Sequence, residues 1–350
     1  MKQVFFAASG RVEMQQVPAP APQDGRVLVE VSHSLVSTGT ELAGTANADS
    51  IVLRVLKDPA LAKRALEHAV QFGLRATIEL AAGTGPKSLF SIGYSAAGRV
   101  VHAPQGCGHR SGDRVAVGGA GYANHAEYDS VPLRLTVPVP TGVSTADACF
   151  ATVGAIAMQG VRRAAPGIGE TVVVSGLGLI GQLTCQILLA GGCRVIGVDP
   201  LADRRERALE AGAVAALEPG ENGYARAVLE LTQGQGADAA IVCAASSSSA
   251  PLNQALNACR RKGRVVAVGA VGMEIDRAEL YAKELDLLIS TSYGPGRYDP
   301  VYEEQGHDYP LGYVRWTEQR NMQSFIELVA TGKIRPSSLV TLQGSPEDAP

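Results

Sequence analysis

Between residues 171 and 190 the chain reads as a strand, a glycine turn and a helix, and this run constrains the fold more than any other. Thr171-Val172-Val173-Val174-Ser175 is rich in β-branched residues. Gly176-Leu177-Gly178-Leu179-Ile180-Gly181 follows with G-x-G-x-x-G spacing, and Ile180, Leu183, Ile187 and Leu188 then give a helix its apolar face. Each glycine has a distinct task. Gly176 permits the tight turn, Gly178 lets backbone approach a pyrophosphate, and Gly181 lets helix and strand pack closely. The first helical turn, with Leu179 and Ile180, presents free N–H groups and the positive end of the helix dipole to phosphate oxygens. A second strand, Arg194-Val195-Ile196-Gly197-Val198, ends in Asp199. That is about 20 residues downstream, where an acid is placed to accept hydrogen bonds from a ribose. The expectation is a dinucleotide site.

From residue 169 onward the pattern keeps alternating. Strands are expected at 171–175, 194–198, 213–217, 238–243 and 264–268, with helices at 179–190, 203–212, 222–232 and 250–259. Such alternation predicts a doubly wound parallel sheet of the Rossmann type. Residues 1–148 read instead as β-rich, with short strands at 26–31, 95–101 and 114–117 separated by glycines, the pattern of a partly open barrel. A helical insertion is expected at about 47–90. Asp58-Pro59 supplies an N-cap and a first-turn proline, Leu61, Ala65, Leu66, Ala69 and Val70 share one face, and Gly73 is a stop. It fits either a packing element or a wall of an active site. Beyond residue 289 the chain turns irregular and aromatic, then closes with a helix near 321–330. The expected division is a first domain at 1–148, a nucleotide domain at 149–289, and a return to the first domain at 290–350. Two domains suit 350 residues.

A formal charge of −3 argues against a general nucleic-acid or anionic-membrane binder. Residues 1–8 are too short for a signal peptide core, and no run reaches the ~18 apolar residues of a membrane span. The expectation is a cytoplasmic protein. The six cysteines include no pair at C-x-x-C spacing, so they are read as small buried hydrophobes rather than a metal cluster. Asp199 favours NAD(H) over NADP(H), because a carboxylate there repels a 2′-phosphate. Arg204 and Arg205 offer that phosphate a partner, or else form a solvated helical turn beside Asp203 and Glu206.

Together these residues resemble the medium-chain dehydrogenase/reductase superfamily. Gly112-Asp113-Arg114-Val115, His125-Ala126-Glu127-Tyr128, the stretch from Pro166 to Val174, and Gly263-Arg264-Val265-Val266 are similar to its recurring motifs. The resemblance implies a GroES-like β-rich domain joined to a Rossmann domain, with Thr152 in the cofactor-binding set. Ser37-Thr38-Gly39-Thr40-Glu41, Gly93-Tyr94-Ser95 and the run from Ser292 to Pro300 are similar to the dehydrogenase half of bacterial bi-domain oxidoreductases. Those proteins continue into a further module after the point reached by Glu347-Asp348-Ala349-Pro350, so the chain is either a stand-alone enzyme or part of a larger one. A homodimer is implied by the same resemblance.

Zinc members of the superfamily hold their metal on a Cys-Gly turn and a Gly-His-Glu turn. The matching positions here are Thr38, Tyr94 and Ser95, and zinc wants thiolate, imidazole or carboxylate donors. The four-Cys structural lobe is absent too, with only Cys107 between residues 90 and 130. The expectation is no zinc at either site, with Glu41 and His125 left as weak donors. Without a metal, a side chain must handle the proton that accompanies hydride transfer. Tyr94 is placed to donate it, Thr38 to orient substrate, and Glu41 to bind substrate hydroxyls or hold a tyrosine. The aromatic run from Tyr293 to Trp316 is the second candidate. Tyr293, Arg297 and Tyr298 suit a polyhydroxylated ligand, and Arg297 or Arg315 offers an anionic group a partner; a folded loop capping the sheet fits as well. The expected reaction interconverts a secondary alcohol and a ketone on a sugar, cyclitol or secondary-metabolite substrate. Two other readings remain: a C=C or C=N reductase of the zinc-free quinone or enoyl type, and a cofactor-binding regulatory protein.

Overall fold

The structure is a computed structural model describing residues 1–7, 11–37, 39, 89–220 and 223–348. In chain order it runs β1 (Lys2–Ala7), β2 (Val12–Gln16), β3 (Arg26–Ser34), β4 (Leu89–Ser91), β5 (Ser95–His102), β6 (Arg114–Gly118), β7 (Tyr128–Pro132) and β8 (Thr136–Pro138). Two helices follow, α1 (Thr145–Ala148) and α2 (Ala151–Ala164). The alternating half comprises β9 (Thr171–Ser175), α3 (Leu179–Ala190), β10 (Arg194–Val198), α4 (Ala202–Glu210), β11 (Ala215–Leu217), α5 (Ala225–Leu231), β12 (Ala237–Val242), α6 (Ala250–Ala258), β13 (Cys259–Ala267), α7 (Arg277–Lys283) and β14 (Asp286–Ile289). It ends in α8 (Pro300–Glu303) and α9 (Glu318–Ala330). The expected insertion at 47–90 lies outside the described residues, apart from the start of β4. No helix among the described residues is long and apolar enough to cross a membrane.

The six-stranded sheet has the order β11-β10-β9-β12-β13-β14 with every pair parallel, so the fold class read from the alternation is present. Both its faces are covered. Val173 points into one buried cluster with Tyr224 and Leu252, while Val172 and Val174 point into another with Leu177 and Cys185. This explains why β9 is continuously apolar rather than alternating. The N-terminal half contributes an antiparallel sheet, β7-β3-β5-β6-β8, and a smaller one, β2-β1-β4. Here Gly98 is obligatory: a Cβ there would stand 1.9 Å from the Glu30 carbonyl oxygen of the neighbouring strand.

Several boundaries move. The strand expected at 213–217 is confined to Ala215–Leu217, and the helix expected at 222–232 shortens to Ala225–Leu231. β13 begins at Cys259 rather than at 264, because Cys259 pairs with Ala237 ahead of a register shift. α2, α7 and β14 have no counterpart in the sequence reading. α2 is buried along most of its length, and its polar Gln159, Arg162 and Arg163 fall only in its last turns.

A third cluster ties the halves together. Val27, Val29 and Val117 of the antiparallel sheet share it with Val153 and Met158 of α2, Leu183 and Ile187 of α3, and Met322 and Phe325 of α9. Gln319 at the start of α9 also donates to the Leu133 and Thr136 carbonyls at 2.9 Å each.

Candidate active site

The glycine turn has the geometry its spacing demands. Gly176 has φ +91°, and a Cβ there would meet the Ala244 backbone nitrogen at 2.5 Å. A Cβ on Gly181 would stand 1.9 Å from the Gly176 carbonyl oxygen. Only glycine fits either place. Gly178 differs: it is the N-cap of α3, and no atom of the described residues lies within 4 Å of its missing side chain. The open space therefore faces the start of α3, whose first N–H groups, beginning with those of Leu179 and Ile180, have no partners within the helix. This cradle fits a dinucleotide pyrophosphate.

Asp199, at the end of β10, is only 2% exposed. One oxygen accepts from Leu177 N at 2.7 Å and the other from Leu201 N at 2.9 Å, so the carboxylate itself fastens the glycine turn. A carboxylate has about four acceptor positions, and two remain for ribose hydroxyls. Arg204 stands 3.6 Å from the same carboxylate, and Arg205 turns back onto the Asp199 and Pro200 carbonyls. Gln182 closes the turn by donating to the Arg204 and Leu177 carbonyls.

In the antiparallel half, the Gly93-Tyr94-Ser95 turn enters β5. Gly93 has φ +102°, and a Cβ there would strike His125 N at 2.7 Å, so the turn lies against the backbone of Asn124 and His125. His125 meets the Ser34 hydroxyl through Nδ1 at 2.8 Å. Tyr94 is buried within the cluster that joins the two halves. Ser95 donates to the Cys149 carbonyl at 2.6 Å and accepts from Thr152 N at 3.3 Å. The Thr152 hydroxyl is buried without a partner, and Gly118 leaves it room, since a Cβ there would stand 2.6 Å from it. Thus Ser95 and Thr152, read from separate motifs, are in contact. Thr38 and Glu41 lie outside the described residues.

Of the donors that zinc prefers, the described residues here supply the His125 imidazole and the Cys149 thiol, while the Gly93-Tyr94-Ser95 turn supplies hydroxyls. Ser95 and Thr152 offer hydroxyls, and burial pushes the Cys149 thiol up to about 12, with its proton aimed at the Ala146 carbonyl. Among the described residues no three His, Cys, Asp or Glu side chains converge as a metal site.

The aromatic run is largely committed to itself. Arg297 lies 5.1 Å from the Tyr293 ring centre and 4.1 Å from that of Tyr298, and it pairs with Glu303 at 2.7 Å. The structure thus brings the three expected substrate residues together but gives the Arg297 charge an internal partner. Tyr302 and Tyr309 stack at 5.2 Å and bond Thr317 and Asp299. Tyr298 is exposed and Tyr293 buried. Beneath them lies Glu318, which the sequence reading missed. It is fully buried, neither carboxyl oxygen has a hydrogen-bond partner, and burial aided by Glu303 pushes it up to about 9. In sequence it lies ahead of the helix expected from residue 321 and reads as part of a polar turn. Tyr293 O is held by Asn321 Nδ2 at 3.0 Å, which also reaches Gln159 of α2.

Residues 180–304 match the zinc-binding dehydrogenase family. The D-guloside 3-dehydrogenase of Escherichia coli (strain K12) is 32% identical over 216 residues, which is 60% of this chain and 58% of that protein. The sorbitol dehydrogenase of Halalkalibacterium halodurans is 25% identical over 84% of each chain. The chain thus spans 58% of the length of the first relative and 84% of the second. The fold is similar to galactitol-1-phosphate dehydrogenase from Escherichia coli, with TM-score 0.72 at 15% identity over 99% of this chain and 94% of that one. It is also similar to the alcohol dehydrogenase TADH from Thermus sp. ATN1, with TM-score 0.70 at 20% identity over 97% and 92%. By sequence, residues 180–304 are those of a zinc-binding dehydrogenase, and over nearly its whole length the chain has the fold of alcohol-dehydrogenase-like enzymes.

Proposed function

We propose that the chain is a nicotinamide-dependent oxidoreductase that interconverts a secondary alcohol and a ketone on a polar, sugar- or cyclitol-like substrate, without zinc. The observation that carries this reading is the glycine turn: closed at Gly176 and Gly181, open at Gly178, at the head of α3. Gly178, Leu179 and Ile180 would hold the pyrophosphate and Asp199 the ribose. The Asp199 carboxylate, with Arg204 drawn onto it, favours NAD(H). A bound nicotinamide supplies the hydride for reduction and accepts it in oxidation. Tyr94 gives the proton to the carbonyl oxygen in reduction and takes it back in oxidation. The hydroxyl chemistry at Ser95 and Thr152 supports the zinc-free reading, and the sugar- and polyol-named relatives support a polar alcohol. We also propose a homodimer, supported by the free edge of β14, where Ile289 is exposed.

The test exploits Gly178. Its φ of −67° suits any residue and its side-chain space is empty, so Gly178→Val should fold normally. It should weaken NADH binding by at least about tenfold, because the branched side chain occupies the pyrophosphate's place. Unchanged NADH affinity would remove the carrying observation. Turnover of an enone with NADH, alongside inactivity on every polyol with NAD⁺, would redirect the reaction to C=C reduction.

A further inference from the structure

The sole tryptophan of the chain, Trp316, lies between two arginines. The Arg162 guanidinium carbon stands 3.2 Å from the ring centre and that of Arg315 3.8 Å. Two guanidinium groups that close to one ring cannot share a face without overlapping, so they occupy opposite faces. Each ring face attracts a cation, but the two cations repel each other across the indole.

Among the described residues no carboxylate pairs with either charge. The carboxylates of the surrounding segment do not supply a counter-charge: Asp308 is held by Arg134 and Arg320, Glu303 by Arg297, Asp299 by Tyr309 and Glu304 by the Tyr122 hydroxyl, while burial keeps Glu318 protonated. Arg162 uses Nε on Asn321 and Nη2 on Ser324, which fixes its plane against α9 and leaves its remaining N–H groups unspent. Arg315 is exposed, and no carbonyl, carboxylate or hydroxyl among the described residues accepts from any of its N–H groups. Burial and the neighbouring Arg315 both pull the Arg162 guanidinium down, to about 10, as expected for a cation lacking a counter-charge. One guanidinium is thus anchored and one is free, with a rigid spacer holding them together. That arrangement is preorganised for a multi-oxygen anion at the indole edge, where one oxygen meets each fork.

We propose that Arg162, Trp316 and Arg315 form an anion-binding site that takes a phosphate or sulfate group. The site lies at the junction of α2 and α9, apart from the glycine turn, and does not depend on the cofactor reading. The group is either free phosphate or the phosphate of a phosphorylated sugar or polyol.

Trp316 makes the test direct, because fluorescence excited beyond tyrosine absorption reports this site alone. The full chain is titrated with inorganic phosphate, with sulfate and, as a control, with chloride at matched ionic strength; calorimetry runs in parallel. Phosphate and sulfate should give a saturable signal that chloride does not. Arg315→Gln, at an exposed position, should weaken it by at least about tenfold. A sugar phosphate binding at least about tenfold tighter than inorganic phosphate identifies a phosphorylated ligand as the source, and equal affinity identifies free phosphate. The proposal is overturned if neither fluorescence nor calorimetry detects saturable phosphate binding, or if Arg315→Gln binds phosphate as tightly as the unaltered chain.

Discussion

A carboxyl group sealed from water with no hydrogen-bond donor near it keeps its proton well above its ordinary range. Glu318 is in that position, pushed from 4.5 to about 9 chiefly by burial and then by repulsion from Glu303, with Arg297 opposing. Between those values the folded chain holds a proton that the unfolded chain has lost. Stability therefore falls as pH rises from about 5 to about 9, with a slope approaching ~1.4 kcal/mol per pH unit for this one group. Asp129, raised to about 8 by burial despite two hydrogen bonds from Asn124, tilts the curve the same way. Glu318→Gln should remove one of the two contributions, so its melting temperature should decline less steeply over that window. Parallel curves for the two proteins would show that Glu318 titrates normally. Tyr94 has a different signature, because its proposed role is chemical. Tyr94→Phe keeps the ring in the cluster joining the halves and should lower kcat by about a hundredfold. NADH affinity should not change. Full turnover in this variant would take Tyr94 out of the proton path.

At the scale of elements, α9 depends on a single cap. Thr317 is fully buried; its hydroxyl accepts from Tyr302 at 2.8 Å and from Arg320 N at 3.4 Å. Thr317→Ala loses the cap, worth ~1 kcal/mol, and strands the buried Tyr302 hydroxyl, worth a further ~1–2 kcal/mol. A loss of about 2–3 kcal/mol by denaturant melts is expected, with Thr317→Ser close to the unaltered chain. If Thr317→Ser were as unstable as the alanine variant, packing of the methyl group would be the cause. The sequence foretold this helix only from residue 321, because Thr317-Glu318 reads as a polar turn when burial is unknown. The β9–α3 turn was fully legible, since glycine constraints there are local and apolar periods are long. α2 was not: apart from Gln159 its residues from Ala151 to Gly160 are apolar or small, and their burial depends on the packing partners β6 and α9. Likewise Tyr293, Arg297 and Tyr298 announced an aromatic cluster, but nothing in their spacing told that Glu303 would take the arginine's charge. Ser95 and Thr152 were legible as separate positions and not as a contact, which depends on how β5 docks against α2.

At the scale of the molecule, the cluster that joins the halves determines how the chain should unfold. Its residues come from the antiparallel sheet, from α2 and α3 beside the parallel sheet, and from α9, so a cut between residues 148 and 149 would run through a core and not along a surface. Gly154 shows how tight the seam is: a Cβ there would stand 2.3 Å from the Phe325 ring. Each fully buried valine or leucine along it contributes ~1.5–3 kcal/mol that neither half could recover alone. Calorimetry should therefore give one transition, not two separated ones. A ligand bound at the glycine turn should therefore stabilise the antiparallel half together with the parallel one. At a hundredfold excess over its Kd, NADH should add about 2.7 kcal/mol to the whole transition and raise its midpoint by several degrees. Two resolved transitions, with NADH moving only one, would mean that α2 and α9 do not couple the halves as their shared packing requires.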